Sequence, residues 1–207
     1  MSERQPKEWL NWICSSQDLN ELRNNYDQWA DNYETDISKV WELVPKTAAL
    51  ILSEYLEDKQ SKIFDFGAGT GMVGVALAEL GFEKIIGMDI SPAMLTKAAD
   101  KGVYSSLVCC SIGDETCKNL GKAKGIIATG VFAQSHAGSV ELNTLQDSVE
   151  SGGVLVFTAR QSFLLKIQEV INQPGWTFLT SQVMPIYEDP MHILAYKIQH
   201  VTKNCVN

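Results

Sequence analysis

The sequence predicts an α/β fold built on a mostly parallel sheet, preceded by a helical N-terminal segment. From residue 61 onwards, short apolar runs alternate with amphipathic helical segments. This alternation is typical of parallel sheets that are covered by helices on both faces. A length of 207 residues suits one domain. We therefore expect a single domain over residues 1–207, with a helical cap over residues 1–60 and an α/β core over residues 61–207.

Seven short apolar runs of the core are predicted to be strands: Lys62–Phe66, Lys84–Asp89, Ser105–Cys110, Gly125–Thr129, Gly153–Thr158, Thr177–Ile186 and Ile193–Gln199. Helical periodicity between them predicts four helices: Thr70–Leu80, Ser91–Asp100, Gly138–Glu150 and Ser162–Asn172. The segment that separates the last two strands contains Pro190 and is too short for a helical crossover. These two strands should therefore form an antiparallel hairpin.

The N-terminal segment reads as three helices: Glu8–Leu22, Tyr26–Lys39 and Pro45–Glu57. Tyr26, Trp29 and Tyr33 recur at helical spacing in the second of them. Such a stripe fits either core packing or one aromatic edge of a binding site. Both interpretations are compatible with a cap that covers the end of the sheet.

Charge and composition exclude several classes of function. The 17 basic residues are outnumbered by 25 acidic ones, so the net charge is −8, whereas nucleic-acid binders usually carry a basic face. No apolar run approaches the ~18 residues that span a bilayer, and the N-terminus has no apolar signal core. The five cysteines lack metal-ligand spacing. We expect free thiols, no metal, no nucleic-acid or membrane partner, and a cytoplasmic location.

A glycine-rich turn follows the first strand and carries the strongest functional signal. Gly67, Gly69 and Gly71 alternate with other residues, and the missing Cβ atoms allow a ligand to approach the backbone. Free N–H groups at the start of the following helix would favour a negative group. Asp89 ends the next strand, 20 residues after Gly69. A carboxylate there can accept hydrogen bonds from ribose hydroxyls, which predicts a nucleoside-containing cofactor.

The glycines can be read in two registers. Gly69, Gly71 and Gly74 match the dinucleotide fingerprint G-x-G-x-x-G, which would indicate an NAD-dependent oxidoreductase. That register leaves Asp65 inside a central strand, where an unpaired carboxylate is costly. If Gly67 is the first glycine, Asp65 lies at the tip of the strand and faces the ligand. This Asp-x-Gly-x-Gly-x-Gly register fits S-adenosylmethionine better.

Several motifs together resemble a known family. D-F-G-A-G-T-G followed by G-M-D-I-S-P-A-M-L resembles the class I S-adenosylmethionine-dependent methyltransferases. Y-D-Q-W-A-D-N-Y-E resembles a segment common in their small-molecule members. I-I-A-T-G-V-F-A-Q-S-H-A-G and S-G-G-V-L-V-F-T-A-R are similar to the methyltransferase-like family of the Williams–Beuren region. The resemblance covers about residues 26–160. It implies a Rossmann-like, seven-stranded sheet in the order 3-2-1-4-5-7-6, with strand 7 antiparallel.

The resemblance also implies which residues would bind S-adenosylmethionine, with S-adenosylhomocysteine as the product. By position, Asp65 would orient the methionine amino group and Asp89 would hold the ribose. The other cofactor-binding residues implied in this way are Gly67, Ala68, Gly69, Gly71, Ile90, Met94, Ser111, Ile112, Thr129, Gly130 and Val131.

Two further residues are candidates on the acceptor side. His136 follows the fourth strand, where it could act as a general base or simply as a loop histidine bonded to the backbone. Arg160 follows the fifth strand and could hold an anionic substrate or pair with a surface carboxylate. The implied activity is methyl transfer to a small-molecule or unassigned acceptor. A domain that binds S-adenosylmethionine without turnover, as a sensor or partner subunit, is the alternative.

Overall fold

Seven strands form one sheet in the computed structural model, which describes residues 9, 12–133, 136–186 and 188–200, with residues 38–40 described in backbone only. The strands are β1 Ile63–Phe66, β2 Ile85–Asp89, β3 Ser106–Cys109, β4 Ala123–Phe132, β5 Val149–Arg160, β6 Trp176–Met184 and β7 Met191–Ile198. Their order is β3-β2-β1-β4-β5-β7-β6. Strands β1 to β5 pair in parallel, and β7 is antiparallel to both β5 and β6. The predicted fold class is confirmed, including the strand order and the antiparallel β7.

Strands β4 and β5 are longer than the sequence predicts. The register between them shifts twice, between Ala123 and Gly125 and again between Ala128 and Phe132. Such irregularities let a strand continue through residues that do not fit a regular ladder. Gly130, with φ +72°, lies in the second irregular stretch. The sequence pattern therefore predicted that β4 ends before this glycine, although the strand continues to Phe132.

The described helices are α1 Leu19–Trp29, α2 Tyr33–Trp41, α3 Leu43–Tyr55, α4 Met72–Glu79, α5 Pro92–Asp100, α6 Glu115–Lys118, α7 Ser139–Ser148 and α8 Gln161–Ile171. All four helices predicted in the core are present. Helix α4 begins two residues later than predicted, because Gly71 before it is left-handed with φ +94°. Helix α6 was not predicted, since four residues are too few to show a helical period.

The predicted boundaries of the first two N-terminal helices are wrong. Residues 12–14 are helical, but α1 begins only at Leu19. The carboxylate of Asp18 accepts the N–H of Glu21 at 2.9 Å and thereby caps its start. The helix predicted over Tyr26–Lys39 is divided by a turn at residues 30–32. The start of the first predicted helix lies outside the described residues.

Helices cover both faces of the sheet. Val44 and Leu52 of α3 and Leu77 of α4 are buried on one face. Leu142 of α7 and Ile167 of α8 are buried on the other face. A third cluster lies within the N-terminal cap and contains Ile13, Leu22, Trp29 and Ile37. The cap therefore has its own small core, beside the carboxyl ends of the strands.

Two cysteines differ from the expectation of free thiols. Cys110 and Cys117 form a disulfide that joins the end of β3 to α6, so the expectation is wrong for this pair. Cys14 and Cys109 are free and exposed, and Cys205 lies outside the described residues. The pairing depends on α6, which the sequence pattern did not reveal. Among the described helices, none is long and apolar enough to cross a membrane.

Candidate functional site

A cavity of about 210 Å³ lies between the carboxyl ends of the central strands and the N-terminal cap. The crevice outside the carboxyl ends of the strands is where open α/β sheets bind ligands. Most residues that the sequence predicted for the site line this cavity: Tyr26, Tyr33, Gly67, Gly69, Asp89, Ile90, Met94, Ser111, Ile112, Thr129, Gly130, Val131 and His136. Ala68 and Gly71 are not among the lining residues, although both belong to the loop. The sequence analysis missed Leu19, Leu22, Cys110, Ala137 and Glu141, which also line it.

Glycines allow the loop after β1 to pack tightly against β4. Gly67 has φ +69°, and a Cβ atom on it would lie 2.4 Å from Cγ2 of Val131. Gly69 has φ +54°, and the nearest protein atom to a Cβ on it would be the carbonyl oxygen of Gly67 at 4.0 Å. Gly67 is therefore required by packing within the protein. Gly69 leaves space in which a ligand can approach the backbone.

The N–H groups of this loop are already used inside the protein. Those of Gly67 and Ala68 both donate to the carbonyl oxygen of Met88, at 2.8 and 2.9 Å. The N–H of Gly69 donates to Oδ2 of Asp89 at 2.8 Å, and that of Gly71 donates to the carbonyl oxygen of Ala68 at 2.9 Å. The expectation of free N–H groups concerned the start of the helix, and of these four positions only Gly71, directly before the helix, contradicts it. The four N–H groups form no cradle for a pyrophosphate, which is what a dinucleotide requires.

Asp89 joins the loop to the next helix and also lines the cavity. Its Oδ2 accepts the N–H of Gly69, and its Oδ1 accepts the N–H of Ser91 at 2.9 Å. Burial raises the pKa of Asp89, and these two backbone donors oppose that shift. Each carboxylate oxygen can accept more than one hydrogen bond. Asp89 can therefore hold the loop and still accept hydrogen bonds from a ligand.

Asp65 is buried behind the loop and does not line the cavity, so the prediction that it faces the ligand is wrong. Its Oδ2 accepts the hydroxyl of Tyr104 at 2.7 Å, and its Oδ1 has no hydrogen-bond partner. Burial raises the pKa of Asp65 to about 7, and the hydrogen bond from Tyr104 opposes the shift. Asp65 points into the face of the sheet that also holds Ile63. Strand alternation fixes this direction.

The side chain of Tyr104 explains why position 74, the third glycine of the dinucleotide fingerprint, is a glycine. A Cβ atom on Gly74 would lie 2.3 Å from Cζ of Tyr104, and one on Gly87 would lie 2.7 Å from its Cε1. The Tyr104 hydroxyl also accepts the N–H of Gly74 at 3.2 Å. Gly74 and Gly87 thus form a slot for this phenol ring. Gly74 is needed to hold a side chain of the protein, and sequence spacing alone did not indicate Tyr104.

Three acidic residues bind the cap to α5. Oδ1 of Asp27 accepts the hydroxyl of Ser91 at 2.5 Å and the N–H of Ala93 at 3.1 Å. Two ion pairs continue the contact, Asp31 with Lys97 at 2.7 Å and Glu34 with Lys101 at 3.0 Å. The ion pairs are partly exposed and contribute little individually. Because α5 begins beside Asp89, the cap and the loop are attached to the same helix.

His136 lies at the inner edge of the cavity beside a tyrosine of the cap. The hydroxyl of Tyr26 and Nε2 of His136 are 2.9 Å apart. Burial lowers the pKa of His136 to about 4, so the imidazole is neutral at pH 7. A neutral imidazole has one nitrogen that can accept a proton. The hydrogen bond joins the strand-β4 side of the site to the cap.

A second cavity of about 80 Å³ adjoins the first. Tyr26, Tyr33, Gly130 and His136 line both. Trp29 and Arg160 line the second cavity and not the first. The sequence left open whether the aromatic stripe packs in a core or lines a binding site. Trp29 does both, because it is buried in the core of the cap and also lines the second cavity. No cluster of metal-ligating side chains occurs in the part of the chain that the structure describes.

Comparison with known proteins finds a matching family model. A family model described as a methyltransferase domain matches residues 63–153. This range begins at β1 and includes the glycine loop, Asp89 and the whole of β4. It spans less than half of the chain.

The chain is similar to two groups of curated relatives. It is 29% identical over 148 residues to Methyltransferase-like protein 27 of Homo sapiens, covering 69% of this chain and 59% of that protein. It is 35% identical over 98 residues to the ribosomal protein L11 methyltransferase of Vibrio campbellii, covering 44% of this chain and 31% of that protein. The chain thus spans less than two thirds of the length of these relatives.

Solved structures share the methyltransferase fold at low sequence identity. Magnesium protoporphyrin IX methyltransferase of Synechocystis, solved with bound S-adenosylmethionine, has a TM-score of 0.60 at 15% identity and covers 94% of this chain and 91% of its own. A Haloferax volcanii putative methyltransferase, in complex with the Trm112 activator, has a TM-score of 0.66 at 12% identity, covering 86% and 98%. These likenesses concern the fold alone.

Proposed function

We propose that the chain transfers a methyl group from S-adenosylmethionine to a small-molecule acceptor in the cytoplasm, within a single domain over residues 1–207. One observation carries the cofactor assignment. The loop after β1 has its N–H groups at Gly67, Ala68, Gly69 and Gly71 satisfied internally, while Asp89 lines the cavity with a carboxylate. That arrangement favours a ligand with a ribose and no phosphate at the loop, as in S-adenosylmethionine.

The described residues of the first cavity fit such a ligand. Asp89 would accept hydrogen bonds from the ribose hydroxyls. Ile90, Met94 and Ile112 offer apolar contacts for an adenine ring. Gly69 would let the methionine part approach the backbone. The remaining residues in this assignment are Gly67, Ser111, Thr129, Gly130 and Val131, which line the cavity, and Asp65, Ala68 and Gly71, which would support the loop from behind.

His136 is proposed as the general base. The bound cofactor would supply an electrophilic methyl group, and positioning the acceptor against it can lower the barrier by about 7–11 kcal/mol. An acceptor O–H or N–H must also lose its proton. Burial lowers the pKa of His136 to about 4, so its imidazole is neutral at pH 7 but only weakly basic. It would take the proton only as the acceptor atom bonds to the methyl carbon and becomes more acidic. Tyr26 would hold the imidazole in position through its hydroxyl.

The cap and the charge favour a small acceptor over a macromolecule. The named relatives include methyltransferases of ribosomal protein L11. In this chain, however, the cap is bonded to α5 through Asp27, Asp31 and Glu34 and covers the cavity. A net charge of −8 also opposes association with nucleic acid. A domain that binds the cofactor without turnover is the competing function, and the base proposed at His136 argues against it.

Calorimetric titration of the protein with S-adenosylhomocysteine, S-adenosylmethionine and NAD tests the cofactor. We expect saturable binding of both adenosyl ligands and no heat from NAD. Incubation of the loaded protein with pools of small acceptors then separates turnover from binding alone. Binding of NAD in place of the adenosyl ligands would overturn the proposal.

Replacing Asp89 with alanine should weaken S-adenosylhomocysteine binding by about 10- to 100-fold, measured by calorimetry. The variant loses hydrogen bonds to the ligand and also the acceptor for the Gly69 N–H, and hydrogen bonds to charged groups are worth about 1.5–3 kcal/mol each. Asp89→Asn retains one acceptor oxygen, so its affinity for S-adenosylhomocysteine should lie between those of the wild type and Asp89→Ala.

Asp147→Ala, at an exposed position on α7, is the matched control and should bind normally. Unchanged affinity in a folded Asp89→Ala variant would contradict the ribose assignment.

A further inference from the structure

We infer that the second cavity is the methyl-acceptor site and that it selects a compact, planar acceptor of the phenol class, a single ring with one ionisable hydroxyl. This inference rests on the proposed function, because it assumes that the first cavity holds the cofactor. The second cavity adjoins the first, and Gly130 and His136 line both. An acceptor there would lie between the proposed base and the carboxyl end of β4.

The wall formed by Trp29 is rigid and aromatic. Its indole stacks on Trp9 with centroids 5.2 Å apart and planes inclined by 4°, and it meets the ring of Tyr33 edge to face at 4.8 Å. The indole N–H donates to Oδ2 of Asp36 at 2.8 Å, which fixes the orientation of the ring. Trp29 itself is almost completely buried, but Tyr26, Tyr33 and Trp41 also line the cavity. An aromatic lining favours a flat apolar ligand, because aromatic pairs gain about 0.5–1.5 kcal/mol beyond area burial.

The other walls are also largely apolar. Trp41 lies against Gly130, with its Cζ2 only 3.3 Å from where a Cβ on that glycine would be. Phe132 and Met191 are buried and line the same cavity. A side chain at position 130 would therefore crowd Trp41 beside both cavities.

The volume limits the acceptor to about one ring. At roughly 10–15 Å³ of cavity per water-sized group, about 80 Å³ holds roughly five to eight non-hydrogen atoms. A six-membered ring with one substituent has this size. A nucleotide or a peptide segment does not fit while the cap is in place.

Charge in the second cavity is balanced. Asp36 and Arg160 contribute one charge of each sign, and Asp36 already accepts the N–H of Trp29. The neutral imidazole of His136 adds none. This lining favours an acceptor without a net charge.

The pair Tyr26–His136 shows how a phenol hydroxyl meets the proposed base. A phenol O–H of the protein itself lies 2.9 Å from Nε2 of His136. A bound phenol would displace the Tyr26 hydroxyl from Nε2 and would pass its proton to Nε2 as the methyl group is transferred. Its oxygen would form the new bond to the methyl carbon as the carbon–sulfur bond breaks, and S-adenosylhomocysteine would leave with the electron pair on sulfur.

Binding of phenol itself tests the inference without any measurement of turnover. Protein saturated with S-adenosylhomocysteine is titrated with phenol, cyclohexanol and ethylamine by saturation-transfer NMR. We expect phenol to bind at least tenfold more tightly than cyclohexanol, which is not planar, and ethylamine not to bind. Equal binding of phenol and cyclohexanol, or no binding of phenol, would overturn the inference.

Alkylation of Cys14 tests whether phenol binds in the second cavity. Cys14 is exposed and lines this cavity only. In a Cys109→Ser, Cys205→Ser background, modification with N-phenylmaleimide should weaken phenol binding at least tenfold and leave affinity for S-adenosylhomocysteine within twofold. Phenol binding that survives alkylation would contradict the assignment.

The matched control carries the same label far from both cavities. It combines Cys14→Ser with Leu165→Cys in that background, since Leu165 is exposed on α8, and it should bind phenol normally. Failure of the unmodified protein to bind S-adenosylhomocysteine would count against the proposed function instead. The two failures are therefore distinguishable.

Discussion

Replacing Gly69 with leucine is expected to abolish S-adenosylhomocysteine binding while the domain stays folded. Apart from its two neighbours in the chain, a Cβ at this position would have no protein atom closer than 4.0 Å, so the first atom of the new side chain meets no steric clash. Its left-handed backbone adds a strain of about 1–2 kcal/mol. The isobutyl group would instead fill the space next to the cavity that Gly69 lines. Calorimetry should show a loss of at least about 100-fold in affinity, equivalent to about 2.7 kcal/mol.

Gly102→Leu separates the blocking effect from backbone strain. Gly102 also has a left-handed backbone, with φ +67°, and a Cβ on it would have no atom within 4 Å. It is exposed after α5 and lines neither cavity. Both variants should lose similar stability in urea unfolding, but only Gly69→Leu should lose the ligand. Equal affinities in the two variants would show that the loop does not contact the cofactor.

Replacing Asp65 with asparagine should stabilise the protein at pH 8 by up to about 4 kcal/mol. The pKa of the buried carboxyl is raised from 3.8 to about 7, and each unit is worth about 1.4 kcal/mol. Asp65 is protonated in the folded protein between these two values and ionised in the unfolded chain. Its contribution to stability is therefore fully present below pH 4 and is lost as the pH rises to about 7. Asparagine keeps an acceptor for the Tyr104 hydroxyl and carries no charge to bury.

The measurement is the difference in unfolding free energy between wild type and Asp65→Asn, from urea titrations between pH 4 and pH 8. The difference is needed because His136 acts in the opposite direction. Its pKa is lowered to about 4, so its contribution to stability is lost as the pH falls from about 6.5 to 4. Asp147→Asn, at an exposed position on α7, is the matched control. A constant difference for Asp65→Asn would show that this carboxyl titrates normally.

The parts of the fold that follow from local pattern were predictable. Strands such as β1 and β2 are short apolar runs bounded by Asp65-x-Gly67 and by Asp89, and both boundaries are visible in the sequence. The alternation of strands and helices and the short Pro190 connection predicted the parallel core and the hairpin of β6 and β7. The strand order and the antiparallel pairing of β7 with β5 followed from the family resemblance. The loop and Asp89 were predictable for the same reason, since both follow directly from a strand end.

The parts that depend on long-range packing were not predictable. Asp65 was expected to face the ligand, but its carboxylate accepts a hydrogen bond from Tyr104, and this partner, 39 residues away, could not be identified from the sequence. The contact of Asp27 with Ser91 joins residues 64 apart. The break between α1 and α2 and the Cys110–Cys117 pairing likewise follow from how distant segments pack. The N–H groups of the loop could not be counted as satisfied before Met88 was placed beside them.

The slot around Tyr104 makes three positions interdependent over evolutionary time. A methyl group at position 74 or 87 would overlap the phenol ring, so neither glycine can change while Tyr104 stays. Conversely, loss of the ring leaves a void beneath the glycine loop and an unpaired Asp65 carboxylate. In an alignment of relatives, Gly74, Gly87 and Tyr104 should therefore be kept or exchanged together. A relative that has a glycine at position 74 should then also have a tyrosine at position 104, and this pair of residues would define a subfamily.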